Sequence, residues 1–227
     1  MWAVTSNQLI RWVAKPALFL GSLGPVTWLV VATLTGQLSA NPLADITNET
    51  GVWTLRFLCL TLAMTPLRRV TGWNGATRFR RMLGLFAFFY GSLHLLTYLI
   101  ADRLAGLEFP AGIVAWQTVS ALARATLSDV LKRPFITLGF GAWLSMLPLA
   151  ITSTAGMIRR LGGRRWQLLH RLTYAAATAA VLHYWWLVKA DVHRPESYAV
   201  VVGFFFAFRV WWWGRSTKTP VNRRAAA

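Results

Sequence analysis

The sequence predicts an all-α integral membrane protein, a six-helix bundle with both termini on the cytoplasmic side. Three observations carry that expectation. Hydrophobic residues make up 56% of the 227 positions and charged residues only 14%, against roughly 25% charged in an ordinary soluble domain. The apolar residues fall in long blocks separated by short basic clusters. Once the blocks are read as spans, fifteen cations and no acid fall on one side, and all seven acids with six cations on the other. The same composition excludes a disordered chain, a collagen-like repeat and a water-soluble nucleic-acid binder, despite the formal net charge of +17.

A span needs about 20 mostly apolar residues, and six segments meet that length: 16–38, 50–67, 82–101, 135–155, 166–188 and 197–214. They form one transmembrane domain over 16–214, with a cytoplasmic N-terminus at 1–15 and a basic cytoplasmic tail at 215–227. The first block follows Arg11 and Lys15 as a signal peptide would, but a signal h-region is only about 7–15 residues long. It is read as an anchor, bent at Gly24-Pro25. Pro66 in the second span and Pro148 in the fourth are tolerable in lipid because neighbouring helices satisfy the freed backbone groups. The one long connection is 102–134, an extra periplasmic loop. There Trp116, Val119, Ala123, Leu127 and Val130 recur at helical spacing, which fits either an amphipathic helix on the outer interface or a linker shielding the helix ends.

Orientation follows from the positive-inside rule. With the N-terminus inside, the inner segments hold Arg11, Lys15, Arg68, Arg69, the Arg78 to Arg81 and Arg159 to Arg165 clusters, Arg215, Lys218, Arg223 and Arg224, and no acid. All seven acids fall outside, from Asp45 and Glu49 to Asp191 and Glu196. Trp53, Trp166, Trp185, Trp186 and the Trp211–Trp213 run sit near span ends, as an aromatic belt does.

The chain also contains an internal match. Leu93, His94, Ala101 and Asp102 recur as Leu182, His183, Ala190 and Asp191 at an offset of 89, and Trp53 and Arg68-Arg69 recur as Trp143 and Arg159-Arg160 at 90 to 91. Spans 2–3 and 4–5 would then be two similar hairpins related by an axis along the membrane normal. His94 and His183 would share a depth.

Histidines carry what chemistry there is. His94, His170 and His183 lie in predicted spans, where ionisable residues are costly; His193 lies in an outer loop. Each could be a core histidine bonded to a backbone carbonyl. Two at matched depth on repeat-related helices suit the arrangement that ligates haem iron from both faces and favours electron transfer over oxygen chemistry. Gly91 beside His94, and Ala179 and Ala180 beside His183, leave room for a flat macrocycle, or simply let helices pack closely. His170 is thirteen residues before His183, about 20 Å along a helix toward the cytoplasm, where a second redox centre would sit. Its repeat mate is Arg81, so a second bis-His site lacks a partner, and His170 would serve a flavin or quinone or share a mixed site. Arg56 and Arg171 are candidates for propionate or phosphate pairing; snorkelling is the alternative for both.

The single cysteine, Cys59, excludes an internal disulfide, a Cys-rich zinc site and thiolate iron–sulfur ligation, and the sequence contains no C-x-x-C-H run for covalent haem. No Gly-rich phosphate loop and no paired intramembrane carboxylates are present. Chemistry on an organic substrate is therefore expected in a partner, which makes this chain an electron-transfer subunit rather than the catalytic one. A histidine-relay, proton-coupled transporter and a two-haem ferric reductase or quinol oxidoreductase are the competing readings.

At these residues the sequence resembles the MsrQ family of haem-binding membrane subunits, within the ferric reductase-like transmembrane superfamily. The matching stretches are TGVWTLR at 50–56, TPLRR at 65–69, RRMLGL at 80–85 with His94, RPFITLG at 133–139, and WQLLHRLTY at 166–174 followed by His183. The resemblance implies a ferric reductase-like transmembrane domain in the bacterial inner membrane, b-type haem, a bound FMN, and the family's three histidines at His94, His170 and His183. It also implies electron delivery to MsrP, a periplasmic molybdopterin enzyme that repairs methionine sulfoxide in proteins, from the quinone pool or a cytosolic flavin reductase. Loop 102–134 looks longer than is usual in that family. NADPH oxidases and ferric reductases share the His-bearing helices but add cytosolic flavin and nicotinamide domains, for which no segment of these 227 residues is long enough.

Overall fold

The computed structural model describes residues 6–100, 116–188 and 192–216, and they are helical nearly throughout. A short helix α1 (Ser6–Leu9) and a π-helical turn (Ile10–Ala14) lead into α2 (Lys15–Leu34). The long α3 (Pro42–Thr71) and α4 (Thr77–Tyr98) form a hairpin closed by a 3₁₀ turn at Asn74–Ala76. Next come α5 (Trp116–Lys132), α6 (Pro134–Ile151), the short α7 (Ala155–Leu161) and α8 (Gly163–Leu169), α9 (Leu172–Leu187) and α10 (His193–Ser216).

Local chemistry sets these boundaries. Asn41 caps α3, its side-chain oxygen accepting from the Ala44 N–H at 3.2 Å, with Pro42 at the first helical position. Gly72, at φ +69°, takes the left-handed conformation that ends the same helix. Thr154 caps α7 through the Met157 N–H at 3.2 Å, and Pro134 opens α6.

Three helical stretches are long and apolar enough to cross a membrane by length and composition: Asn7–Leu34, Pro42–Thr71 and Pro134–Ile151. In the most apolar window of the second, 50% is buried inside the protein, against 17% and 11% in the others, so α3 is the central post of the bundle. The remaining expected spans fall on α4, on α8 plus α9, and on α10. Outward faces stay apolar: Leu34, Val70, Val200, Val210 and Trp213 are all exposed, as a lipid-solvated surface requires. The core is the α3–α4 seam with α9, where Phe57, Leu58, Leu62, Leu83, Phe86, Tyr90, Ala176 and Ala177 are buried together.

Several expected boundaries shift. The second segment, expected at 50–67, belongs to a longer helix, because the polar turn at 42–49 is capped and continues α3. The fourth, expected to 155, ends at Ile151, followed by a turn before α7. The fifth, expected as one helix over 166–188, is broken at His170-Arg171, where bonding tightens to the i→i−3 type (Arg171 N–H to Leu168 O, Tyr174 N–H to Arg171 O). The helical path from His170 to His183 is therefore interrupted at its start.

At Gly24-Pro25 the first long helix remains continuous, and a side chain enters its ladder instead. The Tyr90 hydroxyl donates to the Ser22 carbonyl at 2.8 Å and accepts from the Val26 N–H at 3.2 Å. Those are the two groups that a regular i→i−4 bond would join.

Within loop 102–134, residues 102–115 lie outside the described residues and 116–132 are helical, so the helical alternative holds over that part. On this helix Ala123 and Leu127 are exposed. Asp129 is the buried position, accepting from the Tyr98 hydroxyl at 2.8 Å and lying 3.7 Å from Arg133 Nε. A carboxylate with donors of its own anchors α5, which hydrophobic periodicity does not register. Of the internal match, Ala101, Asp102, Ala190 and Asp191 lie outside the described residues, as do the tail cations Lys218, Arg223 and Arg224.

Candidate functional site

His94 near the C-terminal end of α4 and His183 near that of α9 face one another, their ring centroids 6.0 Å apart and their planes 76° from parallel. Each ring is held from behind. His94 Nδ1 lies 2.8 Å from the Thr47 carbonyl on α3, and His183 Nδ1 lies 2.6 Å from the Phe135 carbonyl on α6. A carbonyl accepts only, so each Nδ1 carries the proton, and each Nε2 is left as an open lone pair with no hydrogen-bond partner among the described residues. That tautomer is the one that ligates a metal, with the backbone carbonyl fixing the ring.

Two glycines make this possible. A Cβ at Gly51 would come within 3.0 Å of His94 Nδ1, and one at Gly139 within 2.8 Å of His183 Nδ1. Each glycine lies one helical turn after the carbonyl that its histidine engages, Thr47 then Gly51 on α3 and Phe135 then Gly139 on α6. The internal match thus has a structural counterpart: acceptor, glycine and histidine recur at offsets of 88, 88 and 89. Sequence reasoning passed over Gly51 and Gly139, although both lie in quoted motif stretches and their matching offset was the available signal.

Both histidines border a cavity of about 430 Å³ between the two hairpins, together with Gly91, Ala142, Met146 and Ala180. Gly91 and Ala180 are again equivalent under the offset of 89, and they supply the flat, small-residue walls expected beside the histidines. Asn48, Glu49 and Arg194 also line it, and of these Asn48 and Arg194 are exposed. The donor set fits an iron macrocycle. Two imidazoles binding one metal from opposite sides at about 2.0–2.1 Å bring their ring centres to about 6 Å, close to the separation found. Among the described residues no cluster of three or more His, Cys, Asp or Glu could hold a bare metal ion.

A second cavity, of about 260 Å³, lies toward the other end of the same seam, bordered by Thr61, Arg80, Arg81, Gly84, Trp166, His170 and Thr173, among others. His170 stacks on Trp166 with centroids 3.8 Å apart, and its Nδ1 lies 3.0 Å from the Trp166 carbonyl. Arg81, the expected repeat mate of His170, does share its cavity. Met146 is the one described residue that borders both cavities.

The remaining candidates stand apart. Arg56 is exposed, with its guanidinium 4.4 Å from the Trp53 ring centre, and it borders neither cavity. Arg171 is exposed at the α8–α9 break and borders neither. His193 lies on the surface, 3.7 Å from Glu196.

Comparison with known proteins bears on this geometry. A family model described as "Ferric reductase like transmembrane component" matches residues 50–181, a stretch that includes Gly51, His94, Gly139 and His170 and stops just before His183. A protein of Herminiimonas arsenicoxydans named protein-methionine-sulfoxide reductase heme-binding subunit MsrQ is 48% identical over 207 residues, covering 90% of this chain and 88% of its own. Proteins of the same name from Ralstonia nicotianae (49% identical, 89% and 87% covered) and Xanthomonas oryzae (42% identical, 98% and 96% covered) are similar over almost their full lengths. No solved structure matches.

Proposed function

The chain belongs to the ferric reductase-like transmembrane family, among the MsrQ haem-binding subunits of protein-methionine-sulfoxide reductase, and from that premise we propose that His94 and His183 are the axial ligands of one b-type haem. The observation that carries this is the pair itself: two Nδ1-tethered imidazoles, centres 6.0 Å apart, across a cavity walled by small residues. His94 and His183 would hold the group from both sides, and it would supply one-electron transfer there.

The protein's own contribution is positional. Thr47 and Phe135 fix the tautomer and orientation of the rings, Gly51 and Gly139 let the rings reach those carbonyls, and the apolar walls exclude water from the metal. In the membrane the chain makes six spans in the bacterial inner membrane with both termini cytoplasmic, α4, α9 and α10 crossing beside the three more apolar stretches. Electrons pass from the cytoplasmic side, supplied by the quinone pool or a cytosolic flavin reductase, to the periplasmic molybdopterin reductase MsrP for repair of methionine sulfoxide. Their destination is supported by the naming of the relatives, and the orientation by the cation-rich inner segments.

The second cavity favours a further redox group below the haem. His170 stacked on Trp166, with Arg80 and Arg81 alongside, suits an aromatic, anionic cofactor such as the FMN that the resemblance implies, or a second haem as in a two-haem reductase. Arg56 and Arg171, bordering neither cavity, are better suited to the membrane interface.

The test is an absorption spectrum with haem and flavin counts per chain. Purified protein is expected to show a Soret band, and His94→Ala and His183→Ala each to abolish it. A protein that stays colourless after haem supplementation, or a His183 variant that retains full haem, would refute the pairing.

A further inference from the structure

We propose that Arg194, assisted by Asn48, binds the carboxylates of the macrocycle that His94 and His183 ligate, and so sets both its hold and its potential. The proposal rests on the haem reading above and adds the anionic edge of the group, a pair of propionate carboxylates in any b-type haem.

The cavity leaves one place for such charges. Its interior is small and apolar around Gly91, Ala142 and Ala180, and the hydroxyl of Thr54 is already committed to the Thr50 carbonyl at 2.8 Å. Carboxylates driven against those walls would lose hydration without compensation. At the exposed edge stand Asn48 on α3 and Arg194 in the first turn of α10. Among the described residues neither side chain makes an ion pair or a hydrogen bond. A guanidinium is the side chain that meets a carboxylate with two parallel hydrogen bonds, and Asn48 offers an amide donor beside it. Glu49 borders the same cavity and opposes an anion there, so recognition depends on the charge of Arg194 rather than on a generally basic edge. Iron ligands on α4 and α9 and carboxylate donors on α3 and α10 would then tie four helices to one group.

The experiment compares full-length wild type, Arg194→Gln and Glu49→Gln, each loaded with iron protoporphyrin IX or with its dimethyl ester, in which both propionates are masked. With the free acid, Arg194→Gln is expected to lose haem to a scavenger roughly tenfold faster, the weight of a charge-assisted hydrogen bond, and to have a more negative midpoint potential because the ferrous form carries one more negative charge. Glu49→Gln is expected to shift the potential the other way. With the ester, wild type should lose haem faster than it loses the free acid, and Arg194→Gln should add nothing. Equal retention by wild type and Arg194→Gln, or an Arg194→Gln loss just as large with the ester, overturns the proposal. Wild type that takes up neither haem would instead overturn the haem reading on which it rests.

Discussion

Gly139 lies against the imidazole of His183 so closely that a Cβ there would sit 2.8 Å from Nδ1, 2.9 Å from Cε1 and 3.1 Å from Cγ. The ring is pinned to the Phe135 carbonyl and has no free end to swing away. Gly139→Ala is therefore expected to displace His183 and reduce haem per chain severely. Gly51→Ala, with 3.0 Å to His94 Nδ1, should be the milder lesion. Haem stoichiometry and the Soret maximum of the two variants check this; unaltered spectra in Gly139→Ala would show that the ring tolerates a methyl group.

His170 belongs to a different cavity from the haem pair, separated from it by Met146. His170→Ala is expected to keep the Soret band of the outer haem while slowing its reduction by a donor added on the cytoplasmic side. Stopped-flow reduction in reconstituted vesicles measures the second effect, and dithionite reduction of the detergent-solubilised protein controls for the first.

Arg209 of α10 crosses to α3 and donates from Nη2 to the Leu62 carbonyl at 2.7 Å, while Nη1 donates to Phe205 O at 3.0 Å. Leu62 is four residues before Pro66, which has no N–H, so that carbonyl is the one the proline leaves without a helical partner. Arg209→Leu should destabilise the bundle by about 0.6–1.7 kcal/mol, the range for hydrogen bonds between membrane helices. Pro66→Ala should recover part of the loss by restoring the ladder. Melting temperatures of the single and double variants in one detergent test the coupling, which additivity of the two changes would disprove.

Tyr90 is fully buried and its hydroxyl bridges Ser22 and Val26 of α2. Tyr90→Phe keeps the ring stacked on Phe57, 5.3 Å away, and removes only the bridge. Faster amide exchange confined to α2, at Val26 above all, is the expected outcome, with haem content unchanged.

Much of this was legible beforehand. The apolar blocks and their basic punctuation gave the helical class, and the offset of 89 paired His94 with His183. The break at His170-Arg171 was not legible, because neither residue is a helix breaker such as Gly or Pro. Arg56 read as a cofactor partner because it sits inside an apolar block; its side of α3 faces outward, which a helix as long as Pro42–Thr71 leaves open. The burial of Asp129 on α5 was not legible for a related reason: it gains partners in Tyr98 and Arg133 that no local pattern announces.

The sequence by itself determined that the chain is helical, membrane-embedded and equipped with two matched histidines, because hydropathy, charge placement and internal repetition are local or periodic signals. Tertiary structure alone decided what the histidines can do. Which carbonyl accepts from which imidazole N–H, which glycine admits a ring and which carbonyl a distant arginine completes are contacts between residues 43 to 147 positions apart. Their energies depend on distances of a few tenths of an ångström that spacing along the chain does not encode.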